Sequence, residues 1–494
     1  MLKAMIKIII LTLGYRILGF IRDILIATKF GSGMETDAFF LAQSLPNLIL
    51  EILAIGAFST ALVPILLEKK LKLNEITGNF LLIFSLISIL GIMLSNKIVL
   101  FLAPGFGDKE VKLASEFSKI FFSMIPLIIL SEINSSILIS KNKSIKITES
   151  NLINNLLLIL FSVFLLRTFG IKAFVYGTIF GTLFKVIYLL YINKFDFNLF
   201  SIRVNLKNKD FYKIIILIFP IMLSSIGNQI NFIVDRKIAS TLLRGGISTL
   251  NYAYKIVQLP LGIILGAVIL SSFPLVIRSI QDSNREEYVK LIKNKIEIIL
   301  VTMLFIVIIV LLYSEKIIEI VYKRGNFTNE DVKITAEILR YYIFSIIFIS
   351  LTTVFQKIFH AYKRTKLPAA IEFIGVILNI GLNISLSKLF GIKGLALATT
   401  MSSGCVCLIM FVFLKIEKKI FFNIKKIIQI ILSNALIILT NNLVVRIFLS
   451  NNGPDIYFIL VFGVNTLFYM FLILKIYNIK FNDILKKIRR NEKL

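Results

Sequence analysis

The chain contains very little cysteine or histidine, two side chains on which many enzymes and metal sites depend. Its 494 residues include two cysteines, one histidine and no tryptophan. Cys405 and Cys407 lie two apart inside an apolar run, so neither a disulfide framework nor a CxxC metal or redox motif can form. His360 lies near a lysine-rich stretch, and no HExxH, GxSxG or phosphate-binding glycine motif occurs. The sequence therefore argues against a hydrolytic or ATP-driven enzyme, and we expect no catalytic residue.

Charged residues are also scarce. They make up 17% of the chain, against 57% hydrophobic residues, and the mean hydropathy is +0.87. Such a composition is typical of an integral membrane protein. Several uncharged runs reach the roughly 20 residues that a helix needs to cross the hydrocarbon core, and none shows the alternation of a membrane β-barrel. These runs are 76–96, 394–414, 427–445 and 456–474.

The sequence predicts an all-α polytopic membrane protein with about fourteen transmembrane helices. The first predicted span carries internal charges and lacks a small-residue cleavage site, so we expect it to be retained rather than removed as a signal peptide. The predicted spans are 8–30, 37–66, 76–101, 111–140, 147–166, 171–192, 211–240, 247–278, 290–313, 332–362, 367–387, 393–414, 424–449 and 456–476.

Basic residues outnumber acidic ones by 56 to 28, which gives a formal net charge of +28. The basic residues lie mainly in alternate connections between spans, as the positive-inside rule requires, so the surplus does not indicate a nucleic-acid partner. With an even number of spans, both termini are expected in the cytoplasm. The basic groups are Lys69, Lys70 and Lys72; Lys141, Lys143 and Lys146; Arg203, Lys207 and Lys209; Lys363, Arg364 and Lys366; Lys415, Lys418, Lys419, Lys425 and Lys426; and the tail 486–493.

Two polar motifs recur at one offset of 221 residues. DKEVKLASE at 108–116 is repeated as NEDVKITAE at 329–337, and FGIK at 169–172 is repeated at 390–393. Two copies of a six-helix unit are therefore predicted. Because each unit has an even number of spans, both copies have the same orientation, and their pseudo-two-fold axis runs along the membrane normal with a central cavity between them.

This symmetry predicts three regions. They are an N-terminal six-helix lobe at 1–200, a C-terminal six-helix lobe at 201–419, and two accessory helices with a basic cytoplasmic tail at 420–494. Weaker similarities pair Asp23 with Asp235 and Pro46 with Pro260.

The first span contains Arg16, Arg22 and Asp23 where a simple anchor would carry leucine. A mid-bilayer arginine costs roughly 2.5–3.5 kcal/mol, so such charges usually face a partner or a watery cavity. Guanidinium forks suit phosphate oxygens, and Gly19 leaves room for two long side chains to converge. The alternative is an internal ion pair between Arg16 and Asp23 that only neutralises the buried charges.

The second span contains Asp37, Pro46 and Glu51. Proline interrupts helical hydrogen bonding and permits bending, which indicates a transporter that alternates between two openings. Asp37 is expected to line the central cavity, although an acidic residue in a first helical turn is also favoured by the helix dipole alone.

A separate set of oxygens is predicted in the second lobe. Asn379 and Asn383 share a helix face, and Thr399 lies on the next helix. Together with Asp235 they could hold a hard cation such as sodium, and the alternative is helix packing through polar side chains. A sodium site requires that Arg236 and Lys237 point away toward the membrane interface.

Several segments resemble the MurJ-type lipid II flippases of the multidrug/oligosaccharidyl-lipid/polysaccharide exporter superfamily. TLGYRILGFIRDILIATKFGSGMETDAFFLAQSLPN at 12–47 and GAFSTALVP at 56–64 resemble the opening of that family. QINFIVDRKIAS at 229–240 and LNYAYKIVQLPLGIILGAV at 250–268 resemble its seventh and eighth helices. The resemblance spans the whole chain and agrees with two six-helix lobes plus two further helices.

The resemblance implies transport of undecaprenyl-diphosphate-linked peptidoglycan precursor from the inner to the outer leaflet of the bacterial cytoplasmic (inner) membrane. It implies that Arg16, Arg22 and Lys255 hold the diphosphate, with Asp37 in the same cavity. It also implies that the protein functions as a monomer in the phospholipid bilayer. It also implies a tail-binding groove on the last two helices, no nucleic-acid partner, and a sodium site formed by Asp235, Asn379, Asn383 and Thr399.

The chain departs from the family pattern at two places. Leu50 and Glu51 occupy the place of a frequent arginine pair, and Lys255 supplies charge without a guanidinium fork. Alternative functions are export of another lipid-linked oligosaccharide or of organic cations, which would favour acidic cavity residues such as Asp37 and Glu51. A membrane enzyme and a non-transporting scaffold are the remaining alternatives, and the single histidine argues against the enzyme.

Overall fold

A computed structural model describes residues 2–53, 58–68, 72–194, 203–266, 285–362 and 364–418, together with residue 432. Every regular element in these ranges is helical. The two predicted accessory helices, at 424–449 and 456–476, lie outside the described residues.

The first half of the described chain contains eight helices. They are α1 (Leu2–Phe30), α2 (Met34–Ile52), α3 (Phe58–Glu68), α4 (Leu73–Leu102), α5 (Asp108–Ser123), α6 (Ile125–Ser140), α7 (Ser144–Phe169) and α8 (Lys172–Ile192). The linker between α8 and α9, described at 193–194 and 203–208, leads into the second half.

The second half repeats this order. Its helices are α9 (Lys209–Leu242), α10 (Gly246–Pro260), a π-helical turn (Leu261–Leu265), α11 (Arg285–Tyr322), α12 (Asn329–Tyr342), α13 (Ser345–Ala361), α14 (Lys366–Phe390) and α15 (Ile392–Lys418). Eight helical segments in the described ranges are long and apolar enough to cross a bilayer, so the fold is that of a multi-pass membrane protein.

Several predicted spans are each built from two helices. The span predicted at 111–140 consists of α5 and α6, which meet at Met124, and the span at 332–362 consists of α12 and α13. The span at 247–278 begins as α10, but Pro260 cannot donate a backbone hydrogen bond and a π-helical turn follows it.

The ninth predicted span ends at residue 313, where the structure has a kink. Tyr313 has a φ of −119° and a ψ of 21°, and beyond it α11 continues as a second helical segment to Tyr322.

The recurring motifs contact each other within each half of the described chain. Lys172 Nζ lies 3.0 Å from Glu116 Oε2, and the equivalent Lys393 Nζ lies 2.5 Å from Glu337 Oε2. Helices α7 and α14 end at Phe169 and Phe390, each followed by a glycine with positive φ. The repeated sequences thus form the same ion pair in each half.

Each half packs around its own helix pairs, and the halves then meet. In the first half α7 packs on α8 and α2 packs on α5, while in the second half α14 packs on α15 and α11 packs on α12. The lobes meet where α2 packs on α9 and α10, where α1 packs on α11, and where α4 packs on α9. We call the end where α1 ends and α2 begins the seam end, and the opposite end, which contains the linker, the linker end.

Candidate functional site

One buried carboxylate draws two basic side chains together across the lobe boundary. Asp23 on α1 is fully buried, and its Oδ1 accepts hydrogen bonds from Arg22 Nε at 2.9 Å and Nη2 at 2.7 Å. Lys255 on α10 places its Nζ 3.6 Å from the other oxygen, Asp23 Oδ2. Arg22 and Lys255 therefore lie side by side, although they come from different lobes.

Arg16 reaches the same helix pair from nearly two turns away along α1. Its guanidinium lies against Gly262, so closely that a Cβ atom at Gly262 would overlap it. Gly262 belongs to the π-helical turn after Pro260, which places a side-chain-free position against α1. Among the described residues, no carboxylate lies within ion-pair distance of Arg16. We call Arg16, Arg22, Lys255 and their counter-ion Asp23 the cationic cluster.

Two details of the sequence analysis need correction. The proposed internal pair between Arg16 and Asp23 does not form, because the adjacent Arg22 folds back onto that carboxylate. Gly19 does not make room for the arginines either, since a Cβ there would face Asn155 on α7 at 3.7 Å. The glycine that permits the close approach is Gly262.

Asp37 lies away from the cationic cluster in this structure, and its place in a ligand cavity stays a prediction. Its side chain is 2% exposed. Asp37 Oδ2 accepts from the Gly245 amide and Oδ1 from the Ser248 amide, both at 2.7 Å, and the Ser248 hydroxyl also donates to Oδ1. The carboxylate thus caps the start of α10, where unpaired amides favour an anion.

This cap is one of several contacts that join the lobes at the seam end. Asn326 donates from its backbone amide to Thr28 O at 2.9 Å and from its side chain to Lys29 O at 2.6 Å. The Ser32 hydroxyl donates to Asp331. We call these bonds, together with the Asp37 cap, the seam contacts.

Two glycines allow the backbones of the two lobes to approach closely at the seam end. Gly31 and Gly325 both have positive φ, and a Cβ on either residue would collide with the backbone of the other lobe. The seam contacts therefore depend on backbone conformations that favour glycine.

Three of the four residues predicted to bind sodium form a hydrogen-bonded chain. Asn383 Nδ2 donates to Asp235 Oδ1 at 2.6 Å and to Asn379 Oδ1 at 2.9 Å. Asn379 Nδ2 then donates to Ser402 Oγ at 3.1 Å. Asn383 Oδ1 is a buried oxygen without a hydrogen-bond donor. We call Asp235, Asn379, Asn383 and Ser402 the amide cluster.

Thr399 lies beside the amide cluster rather than in it. Its hydroxyl donates to the Leu395 carbonyl at 3.1 Å, and its own carbonyl accepts from Ser402 Oγ at 3.1 Å. The cluster pairs one carboxylate with neutral oxygens, a donor set that fits a monovalent cation better than a divalent one. No group of three or more His, Cys, Asp or Glu side chains suited to a metal occurs in the described ranges.

Arg236 and Lys237, the basic neighbours of Asp235, are expected to point away from the site, and only Lys237 does so. Lys237 is exposed, and its Nζ lies 4.8 Å from the centre of the Phe101 ring. Arg236 turns inward instead, where its Nη1 donates to the Ile247 carbonyl at 3.1 Å and its guanidinium lies over the Phe232 ring. Arg236 therefore lies near enough to Asp235 to share in balancing its charge.

Three residues that no sequence pattern singled out complete these sites. Gly262 and Ser402 gave no signal that distinguishes them from other small residues in apolar helices. Ser248 follows a Gly-Gly pair at the start of a helix, which indicates a helix beginning but not its partner Asp37.

The chain matches the family model described as "Lipid II flippase MurJ" over residues 26–468. A probable lipid II flippase MurJ from Buchnera aphidicola subsp. Schizaphis graminum is 32% identical over 419 residues, which cover 81% of each chain. A probable lipid II flippase MurJ from Borreliella burgdorferi is 25% identical over 508 residues, which cover 98% of each chain.

Solved structures agree with these matches. A structure described as "Lipid II flippase MurJ, inward closed conformation" has a TM-score of 0.82 at 26% identity, covering 96% of this chain and 99% of that one. An inward-facing multidrug transporter of the MATE family has a TM-score of 0.66 at 14% identity, which shows a shared fold alone. The chain belongs to the lipid II flippase MurJ family.

Proposed function

We propose that this protein translocates lipid II, the undecaprenyl-diphosphate-linked peptidoglycan precursor, from the inner to the outer leaflet of the bacterial cytoplasmic membrane. It moves the lipid by alternating access without changing it chemically, and both of its termini lie in the cytoplasm. The observation that carries the proposal is a group of three basic side chains between the lobes: Arg22 and Lys255 share the buried Asp23, and Arg16 lies against Gly262.

The charge of the cluster supports an anionic cargo. Arg22 and Lys255 share one counter-ion, and Arg16 has no carboxylate within ion-pair distance among the described residues, so an excess of positive charge remains between α1 and α10. A diphosphate carries several oxygens that can accept from guanidinium and ammonium groups at once. An organic cation would be repelled there, which disfavours the alternative of multidrug export.

The position of the cluster supports alternating access. Asp23 on α1 and Lys255 on α10 belong to different lobes, so any rocking of the lobes changes their distance. A diphosphate that replaced Asp23 as the partner of Arg22 and Lys255 would favour one separation of the lobes over another. A ligand shifts a conformational equilibrium only by such a difference in affinity.

The seam contacts supply the other half of the cycle. They hold the lobes together at the seam end, which the lysine distribution predicts to be the outer end. Release of the lipid to the outer leaflet then requires the Asp37 cap on α10 and the loop contacts of Asn326 to separate. A set of about half a dozen hydrogen bonds, at a net 0.5–1.5 kcal/mol each, is weak enough to open reversibly.

We further propose that a sodium ion binds at the amide cluster and biases this equilibrium. Asp235, Asn379 and Asn383 would hold the ion, which would supply a compact positive charge to a buried carboxylate. The buried Asn383 Oδ1, without a donor, supports this assignment, because unpartnered buried oxygens are costly. The nearby Arg236 limits how much extra positive charge the site tolerates.

The direct test is complementation of a strain depleted of its own flippase. Arg16→Ala and Arg22→Ala should each fail to complement while reaching the membrane at normal levels, and lipid-linked precursor should accumulate on the inner leaflet. Arg167→Ala is a matched control, because Arg167 is an exposed arginine at the end of α7. Lys255→Arg should be tolerated, because the requirement at that position is positive charge.

Complementation by an Arg16→Ala/Arg22→Ala double variant would contradict the proposal. Failure of Arg167→Ala to complement would show instead that any loss of an arginine impairs insertion.

A further inference from the structure

A cavity of about 620 Å³ opens at the linker end of the first lobe, far along α1 from the cationic cluster. It lies where α1 begins, where α6 turns into α7 and where α8 ends. Its lining residues are Lys7, Asn142, Lys143, Ile145, Lys146, Glu149, Tyr191, Ile192 and Lys194. We call it the lysine cavity.

The lysine cavity has a defined framework. Glu149 accepts from Lys7 Nζ at 2.9 Å, from Lys146 Nζ at 2.8 Å and from the Tyr188 hydroxyl at 2.7 Å. Three helices, α1, α7 and α8, are thereby tied to one carboxylate. Glu149 thus fixes two of the lysines in place and balances part of their charge.

The remaining two lysines lie on the turns that follow α6 and α8. Lys194 has a φ of 62°, and Asn142, which precedes Lys143, has a φ of 57°. A left-handed residue is common directly after a helix, so these turns end α6 and α8 and place both lysines at the cavity. Four lysines against one glutamate leave the cavity with a charge of about three positive units, and it therefore fits an anion.

The surroundings of the cavity indicate an anion that carries acyl chains. Only 11% of the residues in the most apolar window of α7 are buried, and because α7 packs on α1 and α8 along one side, its other side is left open to lipid. Leu156 and Leu160 are exposed and lie on the same face as Glu149, since they follow it by seven and eleven residues. Tyr191 at the cavity rim is 65% exposed, as is typical of tyrosines at the membrane interface.

From these features we propose that the lysine cavity binds the phosphate of an anionic phospholipid, with Lys143 and Lys194 as the principal contacts. The acyl chains lie along the exposed stripe of α7 that contains Leu156 and Leu160. Basic pockets between membrane helices are suited to such headgroups because the phosphate replaces water around the ammonium groups. A lipid held here also contacts Lys7 and so steadies the start of α1, the helix that contains Arg16 and Arg22.

The test measures binding of dioleoyl phosphatidylglycerol to the delipidated full-length protein by native mass spectrometry. In the variant Lys143→Gln/Lys194→Gln the affinity should fall about tenfold or more, because one basic residue near an anionic lipid is worth about a factor of five. These substitutions leave the contacts of Glu149 intact. The matched control is Lys207→Gln/Lys209→Gln, which removes the same charge from exposed lysines at the same end and should change the affinity less than twofold.

Three results would overturn the proposal. Equal weakening by the two double variants would show that the lysines act only through overall charge, as topology signals do. Equally tight binding of dioleoyl phosphatidylcholine would exclude a headgroup-specific site. Displacement of bound phosphatidylglycerol by millimolar inorganic phosphate would show a site for a soluble phosphate. None of these measurements depends on transport, so the proposal stands or falls apart from the flippase function.

Discussion

At the scale of single residues, Asp23 organises the candidate substrate site. It is fully buried, and it is the one acidic partner that Arg22 and Lys255 share among the described residues. A buried ion pair costs desolvation that its mutual attraction only partly returns, so removing one partner harms stability more than removing both. The stabilities of the single and double variants therefore show whether Asp23 serves as a structural counter-ion.

Asp23→Asn should lower the stability of the protein by roughly 3 kcal/mol, because two basic groups then lie together without their counter-ion. The double variant Asp23→Asn/Lys255→Met should recover part of this loss, since it removes one of the two repelling charges. Thermal unfolding in detergent measures both effects. A double variant that is less stable than Asp23→Asn alone would contradict this account of the cluster.

At the scale of helices, the seam contacts show how turns determine which lobe surfaces meet. The turn between α1 and α2 and the turn between α11 and α12 each contain a glycine with positive φ. Each glycine lies against the backbone of the opposite turn. The helices on either side are long and apolar, but these short turns decide how closely the lobes approach.

Gly325→Ala should therefore open the seam end, because its Cβ would collide with the Thr28 carbonyl in addition to straining its own backbone. Thiol labelling of a cysteine placed at Ser32 reports this opening and should become at least several-fold faster. Gly391→Ala is the control, since Gly391 also has positive φ but no atom within 4 Å of an added Cβ. Equal labelling of the two variants would mean that backbone strain alone, not the lobe contact, controls the seam.

The amide cluster belongs to the same scale, because it joins α9, α14 and α15 through Asp235, Asn383 and Ser402. Sodium should change the labelling rate of the Ser32 cysteine, in one direction or the other, by a factor that potassium does not reproduce. Asp235→Ala should remove the difference between the two ions, because it removes the carboxylate from the site. An identical response of the unsubstituted protein to sodium and potassium would leave the cluster as a helix-packing network.

At the scale of the whole molecule, the seam contacts place the protein in a conformation closed at one end. The related solved structure described as inward closed has the same overall arrangement, with a TM-score of 0.82. A transporter of this kind must release those contacts in every cycle. Preventing their release should therefore stop transport without unfolding either lobe.

A reducible bifunctional thiol crosslinker should trap this state in a variant with Ser32→Cys and Asp331→Cys, since the two side chains touch across the seam. Cys405→Ser and Cys407→Ser remove the native thiols first. Crosslinking should reduce flipping of a lipid II analogue in vesicles to background, and reduction should restore it. Undiminished flipping in the crosslinked protein would show that the seam end does not open, and the two single-cysteine variants control for the reagent.

Much of the architecture follows from the sequence by itself. Uncharged runs of about 20 residues can only be membrane helices, because the backbone must satisfy its own hydrogen bonds in lipid. The two motifs at 108–116 and 169–172 recur 221 residues later, and this offset alone reveals the duplication. The costly arginines at positions 16 and 22 likewise single out the first helix as a candidate functional helix without any structure.

Only the tertiary structure decided which charges are partners. Arg16 and Asp23 share a helix face in sequence, yet Asp23 contacts Arg22 and Lys255, because long side chains curl and a second lobe brings in its own cation. Asp37 looked like a cavity residue, but it caps α10, a helix more than 200 positions away. Helical periodicity determines which residues share a face, whereas the packing of two lobes determines what that face meets.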